Sequence, residues 1–349
     1  AALGMWKLGR TLGFSQMVSV WMGLMYTFAG QPTIHFVQGQ YLFIFGFAWL
    51  PWVFNNLFLY HQKRERRYLG YTALAIAGVH FSGNAYYSLY LGLIVPLLVL
   101  ILCLDLSFKP FQCKVNWVKL RSYLLAGFLA LGLVAIHLLP LLQFRPRMAL
   151  SMEILGSHQP WQIWLDYTSR DSFRPDAYQA FPAREEFYAY IGYTPFIALI
   201  LLPLAWRKGN RRIQSFFLLL FLMTVLWINV EQMPWRDLYS NTGFFLQFRH
   251  IMRFLLFGEI AILLLAAFGL DSFWRWILFS GNNHQLGLKE KDRLRQVLVI
   301  LFGGFLLWGV IDLILTNSQY IYLEKYDLNV YKVTQWLKEK DDSEFFVRH

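Results

Sequence analysis

Arg249, His250 and Arg253 stand together at the start of an apolar run, FLQFRHIMRFLLFGEIAILLLAAFGL, over residues 245–270, with Glu259 inside it. A spacing of four residues puts both arginines on one helix face, and His250, three residues before Arg253, lies on the same flank. Two guanidiniums one turn apart make a planar, permanently charged fork suited to phosphate. A helix N-terminus adds partial positive charge at the same spot. Arginines that snorkel to a membrane interface are the alternative reading of the pair. Glu259 lies about 9 Å further along the helix than Arg253. That is beyond direct reach, so it is expected to bond a neighbouring helix.

Three further groups carry ionisable or aromatic side chains. His35, His80 and His137 fall in or beside apolar runs. Ionisable groups at membrane depth usually face a cavity rather than lipid, so all three are candidates to line one; the plainer reading is an interfacial or packed histidine. Glu185 and Glu186 precede another apolar run, where they are either site acids or caps of the helix that follows. Trp161, Trp164, Asp166 and Tyr188, in and just after a long polar segment, are the types that stack on and hydrogen-bond a sugar. Cys103 and Cys113 are too few for a disulfide framework and lack metal-ligand spacing, so both read as packing residues.

Positioning these groups requires a membrane fold. Of the 349 residues, 57% are hydrophobic, 19% aromatic and only 15% charged, which places the chain outside the usual soluble range. Apolar stretches near the ~20 residues that cross a bilayer fall at 14–31, 40–60, 68–83, 86–104, 121–142, 187–206, 213–230, 250–270 and 297–317. The expectation is an all-α polytopic membrane protein with nine complete transmembrane helices and one partial helix at residues 1–9. The chain opens without an initiator Met or a signal pattern, so a preceding segment is expected.

The net charge of +11 follows from topology. Connections at 7–10, 61–67, 105–121, 207–212 and 271–295 hold 19 of the 32 Lys and Arg residues and five of the 21 Asp and Glu residues. Such asymmetry marks the cytoplasmic side and argues against a nucleic-acid partner. The opposite side then carries the long loop 143–186 and a region from 318 to 349 that begins an extracytoplasmic C-terminal part. Residues 1–317 form the transmembrane domain. Loops of that length are usually functional, and the candidate groups all gather on this side. No Gly-rich phosphate loop stands between a strand and a helix.

Several stretches resemble the polytopic glycosyltransferases of the GT-C fold, in particular the bacterial YfhO-like branch. They are AALGMWKLGRTLGFSQMVSVWMGLMYTFAG, YLFIFGFAWLPWVF, FSGNAYYSLY, EEFYAYIGYTPFIALILL and FRHIMRFLLFGEIAILLLAAFGLDSF, which are spread from residue 1 to about residue 280 and are specific through their order and spacing. The resemblance implies an enzyme of the bacterial cytoplasmic membrane. It would move a sugar from a polyprenyl-phosphate donor to an acceptor outside the cytoplasm, a glycan, lipid or protein. In that family the catalytic acid lies in the first outer loop, which would precede Ala1, so no residue here matches it. Arg249, His250 and Arg253 would hold the lipid phosphate. Trp161, Trp164, Asp166, Glu185, Glu186 and Tyr188 would meet sugar or acceptor. The resemblance leaves a divalent metal open as a cofactor and names no other.

Two other classes remain open at this stage. One is a non-catalytic accessory subunit of a larger membrane complex, and the other a transporter of lipid or solute. A transporter calls for discontinuous helices and polar groups at the midplane, whereas Glu259 is the polar exception in a set of nearly apolar spans.

Overall fold

The computed structural model describes residues 1–37, 40–83, 85–108, 111–144, 167–168, 188–208, 211–229, 234, 251–279 and 288–318. These are mostly helical. In chain order the helices are α1 (Ala2–Thr11), α2 (Gln16–Thr27), α3 (Gly30–Val37), α4 (Tyr41–Lys63), α5 (Arg67–Phe81), α6 (Ala85–Cys103) and α7 (Trp117–Phe144). They continue with α8 (Thr194–Leu199), α9 (Leu202–Lys208), α10 (Arg211–Ile228), α11 (Leu255–Phe279) and α12 (Leu288–Ser318). A short 3-10 turn, Ile251–Phe254, leads into α11. Between α6 and α7 runs one antiparallel hairpin, β1 (Leu104–Phe108) and β2 (Phe111–Val115), with Leu104 opposite Val115. The all-α expectation departs from the structure at this connection.

Six helices among the described residues are long and apolar enough to cross a membrane, in α4, α6, α7, α10, α11 and α12. They match six of the nine expected spans. The other three take a different form. The 14–31 stretch is a 12-residue helix followed, after a break at Phe28 and Ala29, by the eight residues of α3. The 68–83 stretch is a helix of 15 residues, about 22 Å long against a ~30 Å hydrocarbon core. Within the 187–206 stretch, residues 188–193 form no helix, and two short helices follow, α8 of six and α9 of seven residues. Hydropathy reports the apolar character of a stretch and not the continuity of its backbone.

Helix α11 is the axis of the bundle. Every residue from Phe254 to Asp271 is buried, with α2, α8, α9, α10 and α12 packed against it. Its two buried acids do the same job at opposite ends. Glu259 Oε1 accepts from the backbone N–H of Gln31 at the start of α3 (3.4 Å), and Asp271 Oδ1 accepts from that of Ser15 at the start of α2 (2.6 Å). The first amides of a helix have no intrahelical acceptor and carry partial positive charge, and lipid offers no water to satisfy them. An acid on the central helix supplies what is missing at each start. Arg275 completes the second site, with Nε 2.7 Å from Asp271 Oδ2 and a guanidinium N–H donated to the Gly13 carbonyl at 2.5 Å.

The break between α2 and α3 frees backbone groups that neighbouring segments recover. Gly30 N–H donates to Tyr190 O (2.8 Å), and Asn317 on α12 donates its amide to Phe28 O. The turn from α4 to α5 is tight. Arg64 closes α4 in the left-handed region, at φ 60°, with its N–H bonded to Tyr60 O. A non-glycine residue there is uncommon, and the α4–α5 pair is built around it.

Candidate functional site

At the end of the bundle where α3 meets α4, α6 begins and the 3-10 turn enters α11, four planar groups lie in sequence. The Arg253 guanidinium carbon is 4.4 Å from the Tyr86 ring centre and 4.8 Å from that of Phe43. Phe43 also meets His35, whose ring stacks on it at 4.3 Å with 17° between planes. Guanidinium over aromatic rings gains roughly 0.5–2 kcal/mol, more as it is desolvated. It also fixes the plane of the fork. His35 is fully buried, and its Nδ1 bonds Gln40 Oε1 at 2.6 Å, which places a proton on that nitrogen in the neutral ring.

Beneath this stack a polar seam joins four segments. Gln31 donates from Nε2 to Tyr188 O (2.9 Å), in addition to its backbone bond to Glu259. The Tyr188 hydroxyl bonds Asn317 Oδ1, and the Tyr190 hydroxyl donates to Asp312 Oδ2 at 2.6 Å. Tyr26 reaches the Phe47 carbonyl at 3.0 Å. Glu259, Gln31, Asp312, Asn317 and both tyrosines 188 and 190 are buried. Glu259 thus bonds a neighbouring helix, as its distance from Arg253 requires.

The expected site residues are placed unevenly. Arg253 is half-buried in the aromatic stack. Tyr188 is 1% exposed and its hydroxyl is engaged within the protein, so its side chain serves packing rather than an open sugar surface. His35 is packed beneath Phe43. His80 and His137 come together across α5 and α7, Nε2 to Nδ1 at 2.9 Å. His80 is buried while His137 is exposed on the outside of α7. Arg249, His250, Trp161, Trp164, Asp166, Glu185 and Glu186 lie outside the described residues, as do the long loop apart from 167–168 and the region after 318. Among the described residues no three His, Cys, Asp or Glu side chains converge as metal ligands would.

Sequence reasoning passed over Phe43, Tyr86, Gln31, Asp312 and Asn317. For the aromatic pair there was no signal, since such residues abound in membrane helices. Asp312 and Asn317 were legible as polar residues inside an apolar span, and the default reading of such residues is functional. Comparison with family models, with curated proteins and with solved structures returned no match for this chain.

Proposed function

We propose that this chain is an integral membrane glycosyltransferase of the bacterial cytoplasmic membrane, using a polyprenyl-phosphate-linked sugar and an acceptor outside the cytoplasm. The observation that carries the reading is the clamped guanidinium of Arg253. A cation held against the rings of Phe43 and Tyr86, with Arg249 four residues before it in sequence, is suited to a phosphate near headgroup level and to charge developing on it as it departs. The resemblance of the apolar segments to GT-C enzymes supplies the reaction class. In this reading Arg249, His250 and Arg253 hold the lipid phosphate, and the loop residues Trp161, Trp164, Asp166, Glu185 and Glu186 meet sugar and acceptor.

Polyprenyl phosphate, the leaving group common to such donors, tests the assignment without knowledge of the sugar. Its affinity for Arg253→Ala is expected to fall about tenfold to 100-fold, the range for losing a charge-assisted hydrogen bond; equal affinity in wild type and variant sinks the reading. A Glu185→Gln/Glu186→Gln double variant is expected to lose transfer while keeping its fold. Retained transfer would return both acids to helix capping.

One observation favours a second reading, transport of lipid or solute. The α2–α3 break beside buried Glu259 is the kind of discontinuous helix that transporters place at their sites. Glu259, however, lies seven residues past Met252 in the span Met252–Leu278, about 10 Å in and short of the midplane of a ~30 Å core. That depth suits an end-on site, so transfer is placed first. Flux of a labelled lipid in proteoliposomes, abolished by Glu259→Gln, would reverse the order.

A further inference from the structure

We infer that the groove between α4 and α5 is a binding site for one anionic glycerophospholipid, in the leaflet at the Lys63 end of the bundle. This site is at the opposite end from Arg253 and does not rest on the proposed reaction.

Three observations meet there. First, two cations converge on one hydroxyl. Lys63 Nζ and Arg67 NH2 approach the Tyr68 hydroxyl at 3.5 and 3.4 Å, and both lie over its ring at 5.8 and 5.1 Å. Arg64 and Arg66 flank them, and the turn's only acid, Glu65, pairs with Arg67 at 2.5 Å. Like charges gathered with a single counter-ion leave the niche positive, and the negative charge of a diester phosphate complements it.

Second, the niche opens onto an apolar groove. Arg67, Tyr71, Leu74, Gly78 and Phe81 recur at intervals of three and four residues and so form one stripe along α5. On α4, Asn56, Trp52 and Trp49 do the same, and Lys63 follows seven residues, about two turns, after Asn56. From Tyr71 onward on α5 and from Asn56 back to Trp49 on α4, these stripes line a groove of about 520 Å³, to which Leu133 of α7 also contributes. Its floor is tight, for a β-carbon on Gly78 would lie 2.5 Å from the Trp49 indole. Tyr71, Leu74 and Phe81 are about half exposed. Tyr71 meets Tyr68 edge to face at 6.3 Å, so the cationic and apolar parts are continuous.

Third, the length fits. Tyr71 to Phe81 spans about 15 Å at 1.5 Å per residue, half of a ~30 Å hydrocarbon core. That is the depth of one leaflet, hence of one acyl chain beneath its headgroup. Basic pockets between apolar helices are where anionic headgroups bind.

Native mass spectrometry of the detergent-solubilised protein, titrated with long-chain phosphatidylglycerol or phosphatidylcholine, tests the site. The wild type is expected to retain one phosphatidylglycerol in preference to phosphatidylcholine. Lys63→Gln/Arg67→Gln is expected to weaken that binding on the order of 30-fold, from the loss of two charges at an anionic headgroup. Arg293→Gln/Arg295→Gln on α12, a helix with no extensive contact to α4 or α5 among the described residues, is expected to stay near wild type. A short-chain phosphatidylglycerol is expected to bind more weakly than the long-chain form. Equal losses in the two double variants would reduce the site to diffuse surface charge and overturn the proposal. No preference over phosphatidylcholine, equal binding of the short-chain lipid, or full displacement by millimolar inorganic phosphate would each overturn it too.

Discussion

Helices α11 and α7 are equally apolar by mean hydropathy, yet the most apolar stretch of α11 is 100% buried within the protein and that of α7 only 22%. In water such a difference would be dictated by hydrophobicity. In a bilayer lipid tails are as apolar as leucine, so hydrophobicity cannot choose which helix goes to the centre. What separates the two is their polar content and the closeness of their contacts. The acids Glu259 and Asp271 of α11 each find a helix start to cap. Gly258 and Gly269 bring it against Thr224 and the Ala198 carbonyl. On α7, Gly127 and Gly132 face open space, and His137 meets His80 and the ring of Phe81, both on α5.

The sharpest test of this contrast is one substitution made in both helices. A β-carbon at Gly258 would run into the Tyr167 hydroxyl and stand 2.8 Å from Thr224, so Gly258→Val is expected to cost about 3 kcal/mol or more by overpacking. Gly132→Val, with nothing within 4 Å, is expected to change stability by less than about 0.5 kcal/mol. Reversible unfolding in a common detergent gives both numbers; similar costs would mean that α7 is as enclosed as α11. Next in size is Leu263→Ala. Leu263 is fully buried and Leu131 is 55% exposed. The cavity left at Leu263 is expected to cost about 2 kcal/mol, while Leu131→Ala trades one lipid contact for another and stays near zero. Smallest is His137→Ala, which removes the 2.9 Å bond to His80 and is expected to lower stability by about 1 kcal/mol. An unchanged melting temperature would show that α7 is held by apolar packing alone.

How far the sequence revealed this arrangement depends on what kind of signal each part leaves. Six of the spans stand out because length and apolarity are additive along the chain. The breaks at Phe28 and in 188–201 do not, because they are stabilised by partners far away, Asn317 for one and Gln31 and Asp312 for the other. Arg253 was visible as a charge at a helix start. The rings that hold it were not, since Phe43 and Tyr86 become neighbours only once α4 and α6 start side by side. His80 and His137 were each noticed singly; their pairing across 57 residues is a product of how α5 and α7 pack.

The bond from Asn317 to the Phe28 carbonyl links groups 289 residues apart. At 5–20 residues per second of synthesis, the broken end of α2 waits about 15–60 s for the side chain that completes it. Through that interval, of the two side chains that donate to this carbonyl, only Thr33, whose hydroxyl lies 3.5 Å away, is present. A chain halted before α12 would therefore carry the α2–α3 break without one of the bonds that satisfy it.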